Sequence, residues 1–269
     1  MKSIIPKNSR RIKFLLACVV LAGLSMFNRV EAQNTSVAPR MNRWHFIVEP
    51  YLMMPSINGS VGFGNIPGTS ICIPASEVFS HLNFGAMLYA EAHNEKFAIS
   101  SDFIYASLYQ GASSKNGILN GQAGIKMVIE ELAGLYRVSP WAEFGLGARI
   151  VGMESTLDVN VDSTLITGAH RRSAGKSSVW VDPILIMRLT GTINEEWLLQ
   201  LRADAGGIGI GSQFTWQIHP IIAYRFSRLF QLGLGYRILS FDYNKGSGAD
   251  QVVYDIDLYG PEIRLGFNF

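Results

Sequence analysis

The chain ends in Ile263-Arg264-Leu265-Gly266-Phe267-Asn268-Phe269, where every odd position is apolar and every even position is polar or small. Side chains on a β-strand alternate between its two faces, so the stretch predicts a strand with one apolar face and one polar face. The apolar face consists of Ile263, Leu265, Phe267 and Phe269. Such a strand fits a β-barrel whose outer surface contacts lipid, because its strands alternate in this way.

The opposite end of the chain has the composition of a secretory signal. Residues 1–32 contain a basic segment, an apolar stretch from Phe14 to Phe27 and small residues around Val30-Glu31-Ala32. These are the three parts of a cleaved export signal. Leu15-Leu16-Ala17-Cys18 also resembles a lipoprotein cleavage box, although the apolar run continues past it. We expect Sec export of the chain, and a short periplasmic lead-in over residues 33–42.

Removing the signal reverses the net charge of the chain. The whole sequence has 23 basic and 21 acidic residues, and residues 1–32 hold six of the bases and one of the acids. The mature chain therefore keeps seventeen basic and twenty acidic residues, a balance that gives no reason to expect a nucleic-acid partner. Only Cys72 remains among the cysteines, so no intrachain disulfide is possible. After residue 33 no apolar run has the length of a transmembrane helix.

From Trp44 onward the chain divides into alternating segments joined by two kinds of connection. The short ones are Asn94-Glu95-Lys96, Ser139-Pro140, Asn194-Glu195 and Ser227-Arg228, and the long ones are about 64–79, 111–118, 158–177, 207–213 and 244–252. The two kinds alternate, as the short periplasmic turns and longer external loops of outer-membrane barrels do. They predict an all-β, up-and-down antiparallel barrel of ten strands over residues 43–269. A break of the first strand at Met54-Pro55 leaves twelve strands as the alternative.

Prolines and a pair of glutamates interrupt the pattern. Four prolines lie inside predicted strands: Pro50, Pro183, Pro220 and Pro261. Their parity is that of lipid-facing residues, and a closed barrel has no free edge for them, so we expect bulges or lost ladder hydrogen bonds there. Glu130 and Glu131 put a carboxylate on each face of the fourth strand, whose orientation therefore stays open.

The same parity directs charged side chains into the barrel. Seven acids and six arginines face inward: Glu49, Glu91, Asp102, Glu143, Asp182, Asp204, Glu262, Arg149, Arg188, Arg202, Arg225, Arg237 and Arg264. Pairing the strands through their predicted turns brings five polar residues to one level: Asp182, Arg202, Asp204, His219 and Arg237. With Arg188 they form a predicted network that either fills the lumen with ion pairs or provides a ligand site or narrow polar conduit.

No catalytic, metal or cofactor site is predicted. Asp182 and Asp204 beside His219 would suit a hydrolase, but the neighbouring arginines favour ion pairing. The histidines lack the spacing of metal ligands, and the glycine run 206–211 precedes no helix, so a phosphate loop is not expected there. In the 158–177 loop, His170-Arg171-Arg172 and Lys176 are candidates for contact with lipopolysaccharide phosphates.

Several short motifs resemble those of known proteins. They are Trp180-Val181-Asp182-Pro183, Asp204-Ala205-Gly206-Gly207 with Gly211-Ser212, Gly235-Tyr236-Arg237 and Gly260-Pro261. They resemble a broad group of poorly characterised bacterial outer-membrane barrels, similar in architecture to the OmpA-like and OmpW-like barrels. The last strand also resembles the signal read by the barrel-assembly machinery. Omptin proteases are ten-stranded as well, but their catalytic pattern is not evident in this sequence.

These observations lead to an expectation about place and function. The resemblance and the export signal imply the outer membrane of a Gram-negative bacterium, with membrane lipid, lipopolysaccharide and the barrel-assembly machinery as partners. We expect a structural or narrow-channel barrel without enzymatic chemistry. The alternatives are an enzyme acting on lipid or peptide at the external rim, and an adhesin or receptor that uses loops 64–79 and 158–177.

Overall fold

The computed structural model describes residues 43–64, 69–113, 119–161 and 170–269. The predicted signal 1–32 and lead-in 33–42 lie outside the described residues and stay predictions. Within the described part, no helix is both long and apolar enough to span a membrane.

The described residues form twelve β-strands in a single antiparallel sheet. Their bounds are β1 His45–Met53, β2 Ser56–Phe63, β3 Thr69–Ile73, β4 Leu82–His93, β5 Phe97–Ser113, β6 Leu119–Ser139, β7 Ala142–Val161, β8 His170–Thr192, β9 Trp197–Gly206, β10 Phe214–Arg225, β11 Phe230–Lys245 and β12 Val252–Asn268. One helical turn, α1 Ala75–Ser80, lies between β3 and β4, and a 3-10 turn, Gly248–Asp250, lies between β11 and β12.

The sheet closes into a barrel through β1, which pairs with β4 on one side and with β12 on the other. Ten strands, β1 and β4 to β12, form the ring, and the prediction of a ten-stranded antiparallel barrel is confirmed. Closure satisfies the edge hydrogen bonds that an open sheet would leave unpaired. We call the end of the barrel where His45 and Phe269 lie the terminal mouth, and the opposite end the loop end.

The two strands outside the ring extend one side of the wall. Met53 lies opposite Glu262 and Ser56 lies opposite Tyr259, so β2 continues β1 along β12 in the same register. The interruption falls at Pro55, which has no N–H to give to the ladder. β3 then pairs with β2 as a hairpin. The predicted break at Met54-Pro55 is therefore real, although it does not change the number of strands in the ring.

All four short turns lie at the terminal mouth, as the strand count requires. In three of them the first polar side chain forms the turn: Asn94, Asn194 and Ser227 each accept hydrogen bonds from the backbone N–H groups two and three residues later. Asn and Ser favour turns because their short side chains can bond to their own backbone in this way. The chemistry of single residues thus sets where these hairpins reverse.

The longer connections depart from the prediction. β7 runs to Val161 and β8 begins at His170, so most of the expected loop 158–177 is strand. In β8 the prediction was wrong because residues 170–177 are polar or small on both faces, which removes the alternation that marks a strand. Region 64–79 likewise contains β3 and most of α1, whereas residues 207–213 join β9 to β10 as predicted.

The faces of the strands follow the predicted parity. Glu131 points into the barrel and is 4 % exposed, whereas Glu130 points outward and accepts a hydrogen bond from Ser101 Oγ at 2.7 Å. This fixes the orientation that the sequence left open. Around Pro50 and Pro220 the ladders β1–β12 and β10–β11 each skip two positions, as expected. At Pro183 and Pro261 the registers of β7–β8 and β11–β12 run without a break, so the expected irregularity is confirmed at two of the four prolines.

Candidate functional site: the barrel interior

An apolar layer fills the lumen toward the loop end. Trp180 on β8 stacks on Tyr243 of β11 at 4.1 Å between ring centroids, lies 5.9 Å from Tyr254 of β12 and meets Phe241 edge-on at 5.7 Å. All four side chains are buried. Aliphatic and methionine side chains from the other strands complete the cluster. Aromatic pairs at these separations add to the stability that burial alone provides.

Short strands allow Trp180 to reach across to β11. β9 ends at Gly206 and β10 begins at Phe214, whereas β8 and β11 extend beyond that level, where their side chains Trp180 and Tyr243 stack. The connecting loop, residues 207–213, folds over the gap, and its Gly207 N donates to the Pro183 carbonyl at 3.0 Å. Gly207 has φ +84°, a conformation that a side chain would strain.

Asp182 anchors this loop and forms no salt bridge among the described residues. Its Oδ1 accepts from Ser212 N at 2.5 Å, and its Oδ2 accepts from Ser212 Oγ at 2.7 Å and from Trp180 Nε1 at 3.1 Å. A Cβ at Gly211 would lie 2.5 Å from Asp182 Oδ1, so only glycine fits beside the carboxylate. Asp182 therefore connects the loop to the aromatic layer.

Below the apolar layer lies a first group of ion pairs. Arg149 Nη2 lies 2.8 Å from Glu131 Oε2 and 2.6 Å from Asp204 Oδ1. Arg202 also bonds to Glu131, and its Nε lies 3.7 Å from Asp204. Gln217 Nε2 donates to the second oxygen of Asp204 at 3.1 Å. Three strands, β6, β7 and β9, are linked through charges that are at most 6 % exposed.

A second group joins β5, β11 and β12. Arg237 bonds to Asp102 at 2.8 Å and to Glu262 at 3.2 Å, and Arg264 bonds to Glu262 at 2.5 Å. His219 Nε2 lies 2.6 Å from the same Glu262 oxygen that Arg264 contacts. Tyr51 lies under both guanidinium groups, with Arg264 4.7 Å and Arg237 5.3 Å from its ring centroid. The phenol also donates to Asp102 at 2.5 Å.

A third group lies nearest to the terminal mouth. Arg188 on β8 bonds to Glu91 on β4, across the lumen, and to Glu143 on β7 at 2.5 Å. Arg137 bonds to the other oxygen of Glu143 at 2.8 Å. Tyr89 donates to Glu91 at 2.5 Å, so each carboxylate in this group has a charged donor and a second donor.

The barrel interior contains more buried acids than buried bases. Eight buried acids face five buried arginines: Glu49, Glu91, Asp102, Glu131, Glu143, Asp182, Asp204 and Glu262 against Arg149, Arg188, Arg202, Arg237 and Arg264. Neutral donors occupy the remaining carboxylate lone pairs, including two tyrosines, a tryptophan, a serine and two glutamines. Buried charge is tolerated only when it is paired and hydrogen-bonded in this way.

The predicted network is only partly assembled. Arg202 lies opposite His219 as expected. The predicted meeting of Asp182 with Asp204 is wrong, since Asp204 lies opposite Ile186 and β9 ends below Asp182. The turn after β8 is wider than predicted, because Ile193 N bonds to Trp197 O. Asp182 and His219 also have separate partners, so the aspartates and histidine of the hydrolase alternative are not brought together.

Sequence reasoning missed several members of the interior. Glu131 contacts both Arg149 and Arg202, and its orientation depended on a register that two adjacent glutamates concealed. Tyr51 and Tyr89 have the parity of inward residues, a signal that could have found them. Arg225 was expected in the lumen but is exposed at the terminal mouth. The predicted lipopolysaccharide contacts at 170–172 fall on side chains outside the described part.

An open cavity of about 590 Å³ lies at the terminal mouth, beneath the third group of ion pairs. Its floor includes Glu91, Glu143 and Arg188, and its rim includes Trp141 and Arg228 on two of the turns. A second, much smaller cavity of about 20 Å³ lies beside Met53 and Met87. Within the described part, the interior is open toward the terminal mouth and filled toward the loop end.

No known protein family and no curated protein matches the sequence. Solved structures with a similar course of the chain include the outer membrane protease OmpT from Escherichia coli, at 8 % identity over 88 % of this chain and 99 % of that one, with a TM-score of 0.49. A second is Ail, the attachment invasion locus protein of Yersinia pestis, at 8 % identity over 85 % of this chain and 100 % of that one, with a TM-score of 0.33. A third is the Pseudomonas putida toluene transporter TodX, at 10 % identity over 86 % of this chain and 90 % of that one, with a TM-score of 0.32. These proteins differ in function, and the comparison assigns none of those functions to this chain.

Proposed function

We propose that the protein is an outer-membrane β-barrel with a closed lumen, a structural barrel and not a pore. The observation that carries the proposal is the filled interior. The Trp180 layer lies above three groups of ion pairs, and the buried arginines are at most 5 % exposed.

The outer surface supports the membrane location. Large apolar side chains point outward around the ring and are exposed, among them Leu88 42 %, Ile99 60 %, Leu132 50 %, Leu146 71 %, Leu185 62 %, Leu199 40 %, Leu234 54 % and Leu265 43 %. A soluble protein rarely exposes a contiguous apolar surface of this extent. Lipid is the solvent in which such a surface is stable.

Aromatic and charged residues bound this apolar band. At the terminal mouth, Trp197, Tyr224, Phe226, Phe230 and Phe267 follow one another with ring centroids 4.8 to 5.9 Å apart. Toward the loop end the band stops at the outward ion pair of Lys126 and Glu154 and at outward aspartates on β11 and β12. Aromatic side chains prefer the membrane interface, and charges prefer the water beyond it. The terminal mouth then faces the periplasm.

Conductance across planar lipid bilayers tests the closed lumen. We expect no unitary current steps from the purified mature protein. The same preparation must show an unboiled band that migrates differently from the boiled one on an SDS gel, because a closed barrel has no free edge from which to unfold. Stable current steps from protein that passes this control would contradict the proposal and favour the narrow channel.

A surface receptor or adhesin is a second candidate, favoured by the length of three strands. β6, β7 and β8 contain 21, 20 and 23 residues, whereas a tilted strand crosses a bilayer with about 9–11. Their outer halves therefore project beyond the membrane. Deleting residues 158–173, whose ends lie opposite each other, should leave the barrel folded. Weaker adhesion of cells that express this variant would support the adhesin, and unchanged adhesion would contradict it.

The proposal includes no enzymatic chemistry. His219 contacts Glu262 and is 1 % exposed, so a substrate at the external rim could not reach it. The assembly of the barrel by the barrel-assembly machinery, with Ile263, Leu265, Phe267 and Phe269 as its signal, is part of the proposal. These four side chains, on β12 and at the residue that follows it, are between 38 % and 69 % exposed, where a partner could contact them before insertion.

A further inference from the structure

The cavity at the terminal mouth carries more positive than negative charge. Five arginines and three glutamates line it: Arg137, Arg188, Arg225, Arg228 and Arg264, with Glu49, Glu91 and Glu143. Counted over side chains alone this is an excess of two positive charges, and the terminal carboxylate of Phe269, which is also part of the lining, reduces it to one. The buried interior above the cavity instead has more acids than bases. A concave site lined mainly by one sign of charge attracts ligands of the opposite sign.

The excess is located on two particular residues. Arg137 and Arg188 are paired with Glu143, and Arg264 is paired with Glu49 at 3.0 Å. Among the described residues, the guanidinium groups of Arg225 and Arg228 have no hydrogen bond and no ion pair. The three glutamates already accept charged donors. The charged side chains left free in the cavity are therefore the cationic donors Arg225 and Arg228.

The rest of the lining suits a ligand that also has amide groups and a short apolar body. Gln200 and Thr190 line the cavity, and their side chains have no hydrogen-bond partner among the described residues. Leu198, Ile221 and Leu229 provide apolar contacts between the polar groups. A volume of about 590 Å³ lies in the range of small-molecule and short-peptide sites.

We propose that this cavity binds a small dicarboxylate of the kind an acidic tripeptide provides, with one carboxylate on Arg225 and the other on Arg228. The planar guanidinium fork matches a carboxylate with two parallel hydrogen bonds, which makes arginine the side chain suited to this recognition. The ligand enters from the terminal mouth and rests on the floor formed by Glu91, Glu143 and Arg188. Binding requires the cavity alone and is independent of whether the barrel conducts.

Isothermal titration calorimetry of the mature protein in a zwitterionic detergent tests this site. The probe is the tripeptide N-acetyl-Glu-Ala-Ala with a free C-terminal carboxylate, and the neutral control is N-acetyl-Gln-Ala-Ala-amide. We expect the acidic peptide to bind, the neutral one to bind at least tenfold more weakly, and the affinity to fall as salt is raised. The double variant Arg225→Gln/Arg228→Gln should lower the affinity for the acidic peptide at least tenfold, the loss expected for a charged bidentate contact.

Arg43→Gln is the matched control, because Arg43 is exposed near the same mouth but does not line the cavity. Its affinity should equal that of the unmodified protein, and all variants must show the folded band on an unboiled SDS gel. Equal affinity in the double variant, equal binding of the neutral peptide, or no binding of either peptide would overturn the proposal. Current steps from the unmodified protein would contradict the closed lumen and leave this site unaffected.

Discussion

Arg237 on β11 donates from Nη2 to Oδ2 of Asp102 on β5 at 2.8 Å, and the two residues are 135 positions apart in the sequence. Neither strand is a neighbour of the other in the ring, so the bond crosses the lumen. Both side chains are buried. β5 and β11 belong to different hairpins, and no turn joins them. The contact therefore forms only when the barrel has closed.

Arg237→Ala should destabilise the barrel strongly. The substitution leaves Asp102 and Glu262 each short of a charged partner in a dry interior, a loss of roughly 3–5 kcal/mol in the free energy of unfolding. Urea unfolding in lipid vesicles, followed by tryptophan fluorescence, measures it. Arg225→Ala, which removes an exposed arginine at the mouth, should change the midpoint little. A small effect of Arg237→Ala, together with new ion conductance, would instead indicate a wet lumen.

Leu185→Arg should destabilise the barrel because it places a charged side chain in contact with lipid. Leu185 points outward on β8 and is 62 % exposed, and an arginine near the middle of a bilayer costs about 2–4 kcal/mol. Val179→Arg is the matched control, because Val179 points outward on the same strand but lies near the outer boundary of the apolar band. Ser177, the next outward residue on β8, lies opposite Glu154 at that boundary. There the cost should fall to about 0–1 kcal/mol. Equal effects of the two arginines on the urea midpoint would argue against the membrane location.

Phe269→Ala should reduce insertion without affecting export. Phe269 ends the outward face that we assign to the assembly signal, while its backbone pairs with Phe46 through two hydrogen bonds that alanine retains. Cell fractionation should find less folded protein in the outer membrane and more degradation in the periplasm. Phe226→Ala removes an equally outward aromatic of the same girdle and should insert normally. If both variants insert at the level of the unmodified protein, the terminal residue is not part of a signal.

Asp255→Asn should remove a pH dependence from the outer part of β12. Burial, then the carboxylates of Asp242 and Asp257, raise the pKa of Asp255 above its usual value. The folded state therefore holds this proton more tightly than the unfolded state. Local stability is highest below the unfolded pKa of about 3.9 and falls as pH rises through the higher folded pKa.

Hydrogen exchange measures this effect at the amides of Val252 to Asp257, after correction for the intrinsic rate. In the unmodified protein their protection should decrease as the pH rises through that window, and in Asp255→Asn it should stay level. Asp250→Asn, in the neighbouring 3-10 turn, should behave like the unmodified protein. Protection that rises with pH would show that the aspartates do not repel one another.

The sequence predicted the ring because a lipid-exposed barrel imposes a strict rule on each strand. Alternation on β12, short turns at Asn94, Asn194 and Ser227, and an even number of strands all follow from one-dimensional patterns. The prediction failed beyond the apolar band, where β8 begins with polar or small residues on both faces. Water accepts either face of a strand, so no alternation remains to mark it.

Parity predicted which charged side chains point into the barrel, but not which of them pair with each other. Parity directed Arg149, Arg188, Arg202 and Arg237 inward, and all four are buried. It could not pair Arg188 with Glu91 or Arg237 with Asp102, because those contacts cross the lumen between strands that are not neighbours. Nor could it assign Asp182 to the 207–213 loop, since that contact depends on how the loop folds back over β8.

The sequence by itself determined which residues face outward, which face inward and where the hairpins turn, because these depend on a period of two and on local hydrogen bonds. Only the tertiary structure decided that the loop end is filled and the terminal mouth is open. That division arises because β9 and β10 are short, so Trp180 meets Tyr243 directly across the lumen. The diameter at each level depends on strands distant in sequence, and no local pattern encodes it.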